Sequence, residues 1–187
     1  MKRILIIGGA GFIGINSARH FLKKGWKVSI LDDLSRAGTS YNIKKLKEDF
    51  GDEFYFKKGD ITKDRKVLQD LVGKNDFVLH LAAQVAVTTS IISPEDDFRI
   101  NVVGTFNVLE AIRKSKNRPS IIYSSTNKVY GSLPQYPVVE KATRYIFKNK
   151  KLKDRGVSED AQIDFHSPYG CSKGAADHYV IDYGRIY

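Results

Sequence analysis

Cysteine is nearly absent: Cys171 stands alone among 187 residues. No intrachain disulfide can form, and a reducing, cytoplasmic setting fits that usage. Long apolar runs are also missing. The longest candidate, Ile4–Ile7, has the length of a strand, far below the ~20 residues that cross a bilayer. Lys2 and Arg3 stand near the amino end without the extended apolar region of a secretory signal. No membrane partner is expected. The four histidines are scattered, so no metal-ligand cluster is visible. No repeat recurs at a solenoid period. Negative charge is scarce: 21 Asp and Glu face 31 Lys and Arg, a net +10. Basic clusters lie at residues 44–47 and 148–155. Nucleic acid is one outlet for such charge, but Lys-rich clusters of this kind read more readily as solvated surface. No nucleic-acid partner is expected, and a small anionic substrate is a further outlet.

The length and the 42% hydrophobic fraction suit one globular domain with a proper core. Apolar runs alternate with amphipathic segments. Arg3–Ile7, Val28–Leu31, Phe54–Lys57, Phe77–Ala82 and Ser120–Ser124 read as strands. Phe12–Lys24, Tyr41–Phe50, Lys63–Val72 and Asp96–Lys114 read as helices, and Pro168 starts a last one. Strands alternating with helices predict an α/β class: a doubly wound, Rossmann-like parallel sheet covered on both faces. The stretch from Tyr130 to Ser167 has no clear period and is long for a loop.

Gly8, Gly11 and Gly14 give a G-x-x-G-x-x-G turn between the first strand and the first helix. Glycine permits a tight turn and close backbone approach, and the helix amino end favours a diphosphate. Asp32 ends the next strand 18 residues after Gly14. An acidic residue at about this spacing accepts hydrogen bonds from an adenosine ribose. It repels a 2′-phosphate, so NAD is favoured over NADP, with Arg36 near enough to leave the second open. Asp60, before Ile61, either receives the adenine amino group or caps the following helix. Leu81, Ala82 and Ala83 are small or apolar residues after the fourth strand. They would let a cofactor approach the carboxyl edge, where open α/β sheets bind ligands.

Tyr169 and Lys173 are four apart on a predicted helix and share a face. An ammonium beside a phenol favours the phenolate, which is a proton acceptor near neutral pH. Ser124, Ser125 and Thr126 end the fifth strand and place hydroxyls at the same edge. Cys171 falls on another helix face and is not expected to act as a nucleophile. His80 reads as a buried structural histidine, and His20 and His178 as helix surface.

Gly8 to Gly14, Asp32, Ser124-Ser125-Thr126, Val129-Tyr130-Gly131 and Tyr169 to Lys173 together resemble the extended short-chain dehydrogenase/reductase superfamily, its nucleotide-sugar epimerases and dehydratases. The resemblance covers essentially the whole chain. It implies Thr126, Tyr169 and Lys173 as the catalytic group. It implies NAD held by Gly8, Gly11, Phe12, Ile13, Gly14, Asp32, Asp60, Ile61, Leu81, Ala82, Ala83, Asn101, Tyr169 and Lys173. Against the nucleotide sugar it places Gln84, Ser90, Thr126, Asn127 and His166, although a plain loop histidine is an equal reading of His166. The segments Thr126–Gly131 and Asp164–Asp177 look most like the branch acting at C2 of CDP-linked dideoxysugars. Sister 4,6-dehydratases carry an Asp-Glu pair after the catalytic Thr. Asn127 and Lys128 stand there instead, which disfavours dehydration.

The resemblance also implies further strands and a carboxyl-terminal substrate domain beyond Tyr187. Residues 1–187 are thus expected to form an incomplete NAD-binding domain that binds sugar nucleotide poorly by itself. Family enzymes are often dimers through helices of this region, so a homodimer is a further expectation. A 4-epimerase specificity and a non-catalytic dinucleotide-binding role are the alternative readings.

Overall fold

The computed structural model describes residues 1–187. Strand β1 (Arg3–Ile7) shows why the sheet lies inside. Successive side chains of a strand point to opposite faces. Leu5 and Ile7 join Leu31, Leu68, Leu71, Val72, Val78 and Val108 on one side. Ile4 and Ile6 join Ile15, Ala18, Leu22, Val28, Ile30 and Leu46 on the other. Each fully buried aliphatic side chain contributes roughly 1.5–3 kcal/mol, so a strand apolar at every position is stable only with cover on both faces.

Around β1 lie β2 (Lys27–Asp32), β3 (Phe54–Lys58), β4 (Phe77–His80) and β5 (Ser120–Tyr123), all parallel, in the order β3-β2-β1-β4-β5. Helices α1 (Phe12–Lys23) and α2 (Thr39–Phe50) cover the Ile4 face; α3 (Arg65–Val72) and α6 (Gly104–Lys114) cover the Leu5 face. The long α8 (Pro168–Ile186) packs beside α6. Its start is set by Ser167, whose Oγ accepts from Gly170 N at 3.0 Å. The chain leaves β1 toward β2 on one side and returns to β4 on the other. That reversal opens a crevice at the carboxyl ends of β1 and β4. The expected doubly wound parallel sheet is what the chain forms.

Four segments depart from the sequence reading. The predicted helix Asp96–Lys114 is not continuous. It comprises α5 (Pro94–Phe98), a π-helical turn at Arg99–Val103, and α6. Such turns insert one extra residue and often mark functional sites; this one turns Asn101 fully inward. Helix α3 starts at Arg65 rather than Lys63, and Asp60 does not cap it. The Asp60 carboxylate accepts instead from Thr62 N and Thr62 Oγ1, both at 2.8 Å, in a local turn. A short α4 (Val87–Ile92) stands where no helix was predicted. The aperiodic segment after Tyr130 holds an antiparallel hairpin, β6 (Val138–Glu140) with β7 (Tyr145–Phe147), followed by α7 (Lys150–Arg155). Strands of three residues are too short to show a period. No helix is long and apolar enough to cross a membrane.

One part of the sheet lacks cover. Beside α1, Phe12, Ile13 and Ile122 are 83%, 63% and 66% exposed around a hollow that reaches Phe77 and Leu79.

Candidate functional site

The glycine turn is built by close approach. Gly8 has φ +79°, and a Cβ there would lie 2.5 Å from Ala82 N. A Cβ on Gly14 would lie 2.5 Å from Gly9 Cα. Only glycine lets β1, α1 and the end of β4 converge this tightly. The first helical bond of α1 runs from Ile15 N to Gly11 O at 2.9 Å. The backbone N–H groups of Phe12, Ile13 and Gly14 therefore lack helical partners and carry the partial positive charge of a helix start. Phe12 and Ile13 offer these groups alone, since their side chains point outward.

Asp32 faces the same turn. Its Oδ2 accepts from Ala10 N at 3.0 Å and its Oδ1 from Leu34 N at 2.9 Å. Burial pushes this carboxyl up, against the two backbone donors. Each oxygen keeps a lone pair for a diol. A cleft of about 370 Å³ opens here. Gly8, Gly11, Asp32, Arg36, Asp60, Ile61, Leu81, Ala82 and Ala83 line it. Gly14 packs behind the turn. Sequence reasoning missed Arg99 and Ile100, which also line the cleft. The Arg99 guanidinium reaches Thr62 Oγ1 at 2.9 Å and stands 4.0 Å from Asp60 Oδ2. Thr62 is 37 residues away in the chain, a relation no local pattern carries. Asp60 lies below the usual carboxylate range, with Thr62, Lys63 and Arg99 outweighing burial.

Of the three catalytic candidates, Thr126 lies just after β5, and Tyr169 and Lys173 lie on α8, which packs against the turn that follows Thr126. Thr126 precedes a short 3-10 turn at Asn127–Tyr130 and accepts from Lys128 N at 3.3 Å. Asp164 N donates to Val129 O at 3.0 Å, tying the approach of α8 to that turn. Tyr169 lies in the first turn of α8, half-buried. Lys173 follows one turn later, 2% exposed. Its Nζ donates to Ser124 O at 2.5 Å and sits 4.1 Å from the Tyr123 ring centre. Burial pushes the Lys173 ammonium down to about 8, while Asp177 and Asp97 oppose that loss of charge.

Several predicted contact residues are placed otherwise, and of the expected cofactor contacts Tyr169 and Lys173 do not line the cleft. Asn101 does not line the cleft. It is buried, with Oδ1 accepting from Gln84 N at 2.9 Å and Nδ2 donating to Ser172 Oγ at 3.0 Å. Its polar atoms brace β4's exit loop against α8 and hold Asp97 of α5. Ser90 is fully buried, with its Oγ donating to Val87 O and accepting from Tyr169 N. It backs Tyr169 and has no open face for a sugar. The Gln84 side chain folds onto Ala86, bonding its N and O. Asn127 is exposed beside Thr126, and His166 is exposed with Nε2 2.8 Å from Asp164 Oδ2.

A family model described as GDP-mannose 4,6 dehydratase matches residues 5–146, across the glycine turn, Asp32 and Thr126. The chain belongs to that family. It sits within the extended short-chain dehydrogenase/reductase superfamily, as the motifs implied. CDP-paratose 2-epimerase of Salmonella typhi is 49% identical over 187 residues, covering 99% of this chain and 54% of that protein. Among solved structures, the UDP-Glc/GlcNAc 4-epimerase of Campylobacter jejuni superposes with a TM-score of 0.80 at 30% identity, covering 99% of this chain and 50% of its own. DesIV, a dTDP-glucose 4,6-dehydratase of Streptomyces venezuelae solved with NAD and TYD bound, gives 0.78 at 27% identity, covering 99% and 52%. The chain thus spans about half the length of the relatives it matches. Epimerases and dehydratases both belong to this family, so the fold alone does not choose between them.

Proposed function

We propose that this chain carries the cofactor and acid–base half of an NAD-dependent nucleotide-sugar epimerase, acting at C2 of a CDP-linked dideoxysugar. The observation that carries the reading is the packing of α8, with Tyr169 and Lys173, against the turn that follows Thr126, with Lys173 Nζ bonded to Ser124 O at the end of β5. The cleft residues suit NAD: a glycine turn with free N–H groups for the diphosphate and Asp32 for the ribose diol. Bound NAD would take a hydride from the sugar carbon and return it to the opposite face.

The chain's own groups do the rest. The Tyr169 phenolic oxygen takes the proton of the C2 hydroxyl and gives it back after the sugar turns. Thr126 hydrogen-bonds that oxygen and keeps it oriented. Lys173, one helical turn after Tyr169, donates its buried Nζ to Ser124 O and so ties α8 to the end of β5. Asn127 and Lys128 offer no carboxyl pair to eliminate water, which supports epimerisation over dehydration. The identity shared with the Salmonella typhi enzyme supports a CDP-linked substrate and C2.

The hollow bounded by Phe12, Ile13 and Ile122 supports a second reading. Parallel sheets need cover on both faces, so the uncovered face suits a dinucleotide-binding portion that works with a separate substrate-holding half. In that reading sugar nucleotide binds weakly to residues 1–187 alone. A second copy is proposed to pack along α6 and α8, where Phe106, Tyr179 and Ile181 are exposed. The lone Cys171 supports a cytoplasmic setting.

Calorimetric titration with NAD⁺, with NADP⁺ as control, tests the cofactor half. Proton NMR of a CDP-linked sugar then separates the specificities. Inversion at C2 supports the proposal, inversion at C4 marks a 4-epimerase, and saturable NAD⁺ binding without turnover marks the dinucleotide-binding portion.

A further inference from the structure

A buried carboxylate stands behind the catalytic pair, and neither the cofactor cleft nor the proton path uses it. Asp97 is 1% exposed in α5. Its Oδ1 accepts from Asn101 Nδ2 at 3.1 Å, one turn further on in the π-helical turn. Its Oδ2 has no hydrogen-bond partner. Leaving a buried charge unpaired is strongly unfavourable, so a carboxylate retained here needs a nearby cation. Lys173 meets the converse condition. It is buried, and its one hydrogen bond goes to a neutral carbonyl, Ser124 O.

We propose that Asp97 is a positioning residue for Lys173: held by Asn101, its buried carboxylate adds to Asp177 as a counter-charge that keeps the buried ammonium in place at the end of β5. This rests on the assignment of Lys173 to the acid–base group.

The surroundings of Lys173 are few enough to name. On its own helix, Tyr169 lies one turn before it and Asp177 one turn after. Asp177 is partly engaged, since its Oδ2 accepts from Ser125 Oγ at 3.1 Å. From β5 comes the Tyr123 ring. From β4 comes His80, held neutral by burial and by Lys173 itself. From α5 comes Asp97. The two carboxylates oppose the burial that pulls Lys173 down. In return, the Lys173 charge opposes the burial that pushes Asp97 up. Ser172 joins the two helices, with its Oγ accepting from Asn101 and donating to Tyr169 O at 3.2 Å. A change at Asp97 therefore reaches the Tyr169 turn as well as Lys173.

The test is the titration of Lys173 in the whole chain, free of cofactor and sugar. The chain is labelled with ¹³C-lysine, and the Lys173 resonance is identified by its loss in Lys173→Met. In Asp97→Asn, which keeps the shape and removes the charge, the Lys173 midpoint should fall by roughly half a pH unit. A midpoint unchanged in a folded Asp97→Asn chain overturns the proposal. Should that variant not fold, the unsubstituted chain decides. The Asp97 carboxyl ¹³C resonance should shift again as Lys173 loses its proton, and a flat resonance through that range overturns the proposal. NAD⁺ affinity, measured separately, reads the cofactor assignment and leaves this titration independent of it.

Discussion

Ser90 Oγ accepts the backbone N–H of Tyr169 at 3.1 Å, joining residues 79 apart in the chain. That N–H belongs to the first turn of α8, where helical N–H groups have no partner of their own. Ser90 supplies one from α4, and its own proton goes to Val87 O at 2.7 Å. The hydroxyl thus fixes where the Tyr169 ring leaves the helix. A side chain that the family resemblance placed against the sugar braces the backbone of Tyr169 instead.

Ser90→Ala should therefore disturb orientation more than binding. One buried donor loses its partner, which costs about 1–3 kcal/mol of stability. NAD⁺ affinity should stay within about twofold, because the cleft lies on β1, β2 and β4. At saturating sugar nucleotide, turnover should fall on the order of tenfold, since small misplacements of reacting groups cost much. An equal loss of NAD⁺ affinity would show that Ser90 supports the cleft rather than Tyr169.

Tyr169→Phe removes only the phenolic oxygen. Calorimetry should show NAD⁺ binding close to that of the unsubstituted chain. Turnover should fall by roughly 10²–10⁴-fold, the usual contribution of a positioned acid–base group. Full turnover in this variant would end the assignment of Tyr169.

Asp32→Ala tests the ribose contact and the turn together. The carboxylate bonds Ala10 N and Leu34 N, so its loss loosens the glycine loop as well as removing the diol acceptor. Hydrogen bonds to charged groups are worth about 1.5–3 kcal/mol each. NAD⁺ affinity should drop at least about tenfold, and the preference over NADP⁺ should narrow because the carboxylate no longer repels a 2′-phosphate. A variant that binds NAD⁺ as before would place the ribose elsewhere.

Much of this was legible because the relevant signals are local. The apolar strands, the glycine spacing and the four-residue step from Tyr169 to Lys173 each lie within one element or one turn. The π-helical turn at Asn101 was not legible, since its apolar period matches that of an ordinary helix on either side. Arg99 was missed because its partners Thr62 and Asp60 sit across the cleft. Ser90 and Asn101 were assigned contacts by the family resemblance, but their burial depends on packing between helices distant in sequence. Such packing decides whether a polar side chain faces a ligand or braces its neighbours. The hairpin at Val138–Phe147 escaped for a simpler reason: each strand offers only three residues.

His80 gives the pH dependence a definite sign. It ends β4, fully buried, with Nε2 3.0 Å from Thr105 Oγ1 and Nδ1 without a partner. Burial, and the nearby Lys173 charge, push its imidazole down to about 3. In the unfolded chain it takes a proton near its ordinary value of about 6.5. Between about pH 3 and 6.5 the unfolded state thus binds more protons than the folded one, and stability rises with pH across that window. The slope from this one group approaches about 1.4 kcal/mol per pH unit and vanishes above about pH 7. Urea unfolding at half-unit steps from pH 5 to 7.5 should show the midpoint climbing and then levelling. Between pH 5 and 6.5 most carboxylates are already ionised in both states, so His80 dominates the change. His80→Gln keeps a partner for Thr105 and cannot titrate. It should lower stability at neutral pH and flatten the curve between pH 5 and 6.5; a slope surviving in that variant would assign the dependence to another group.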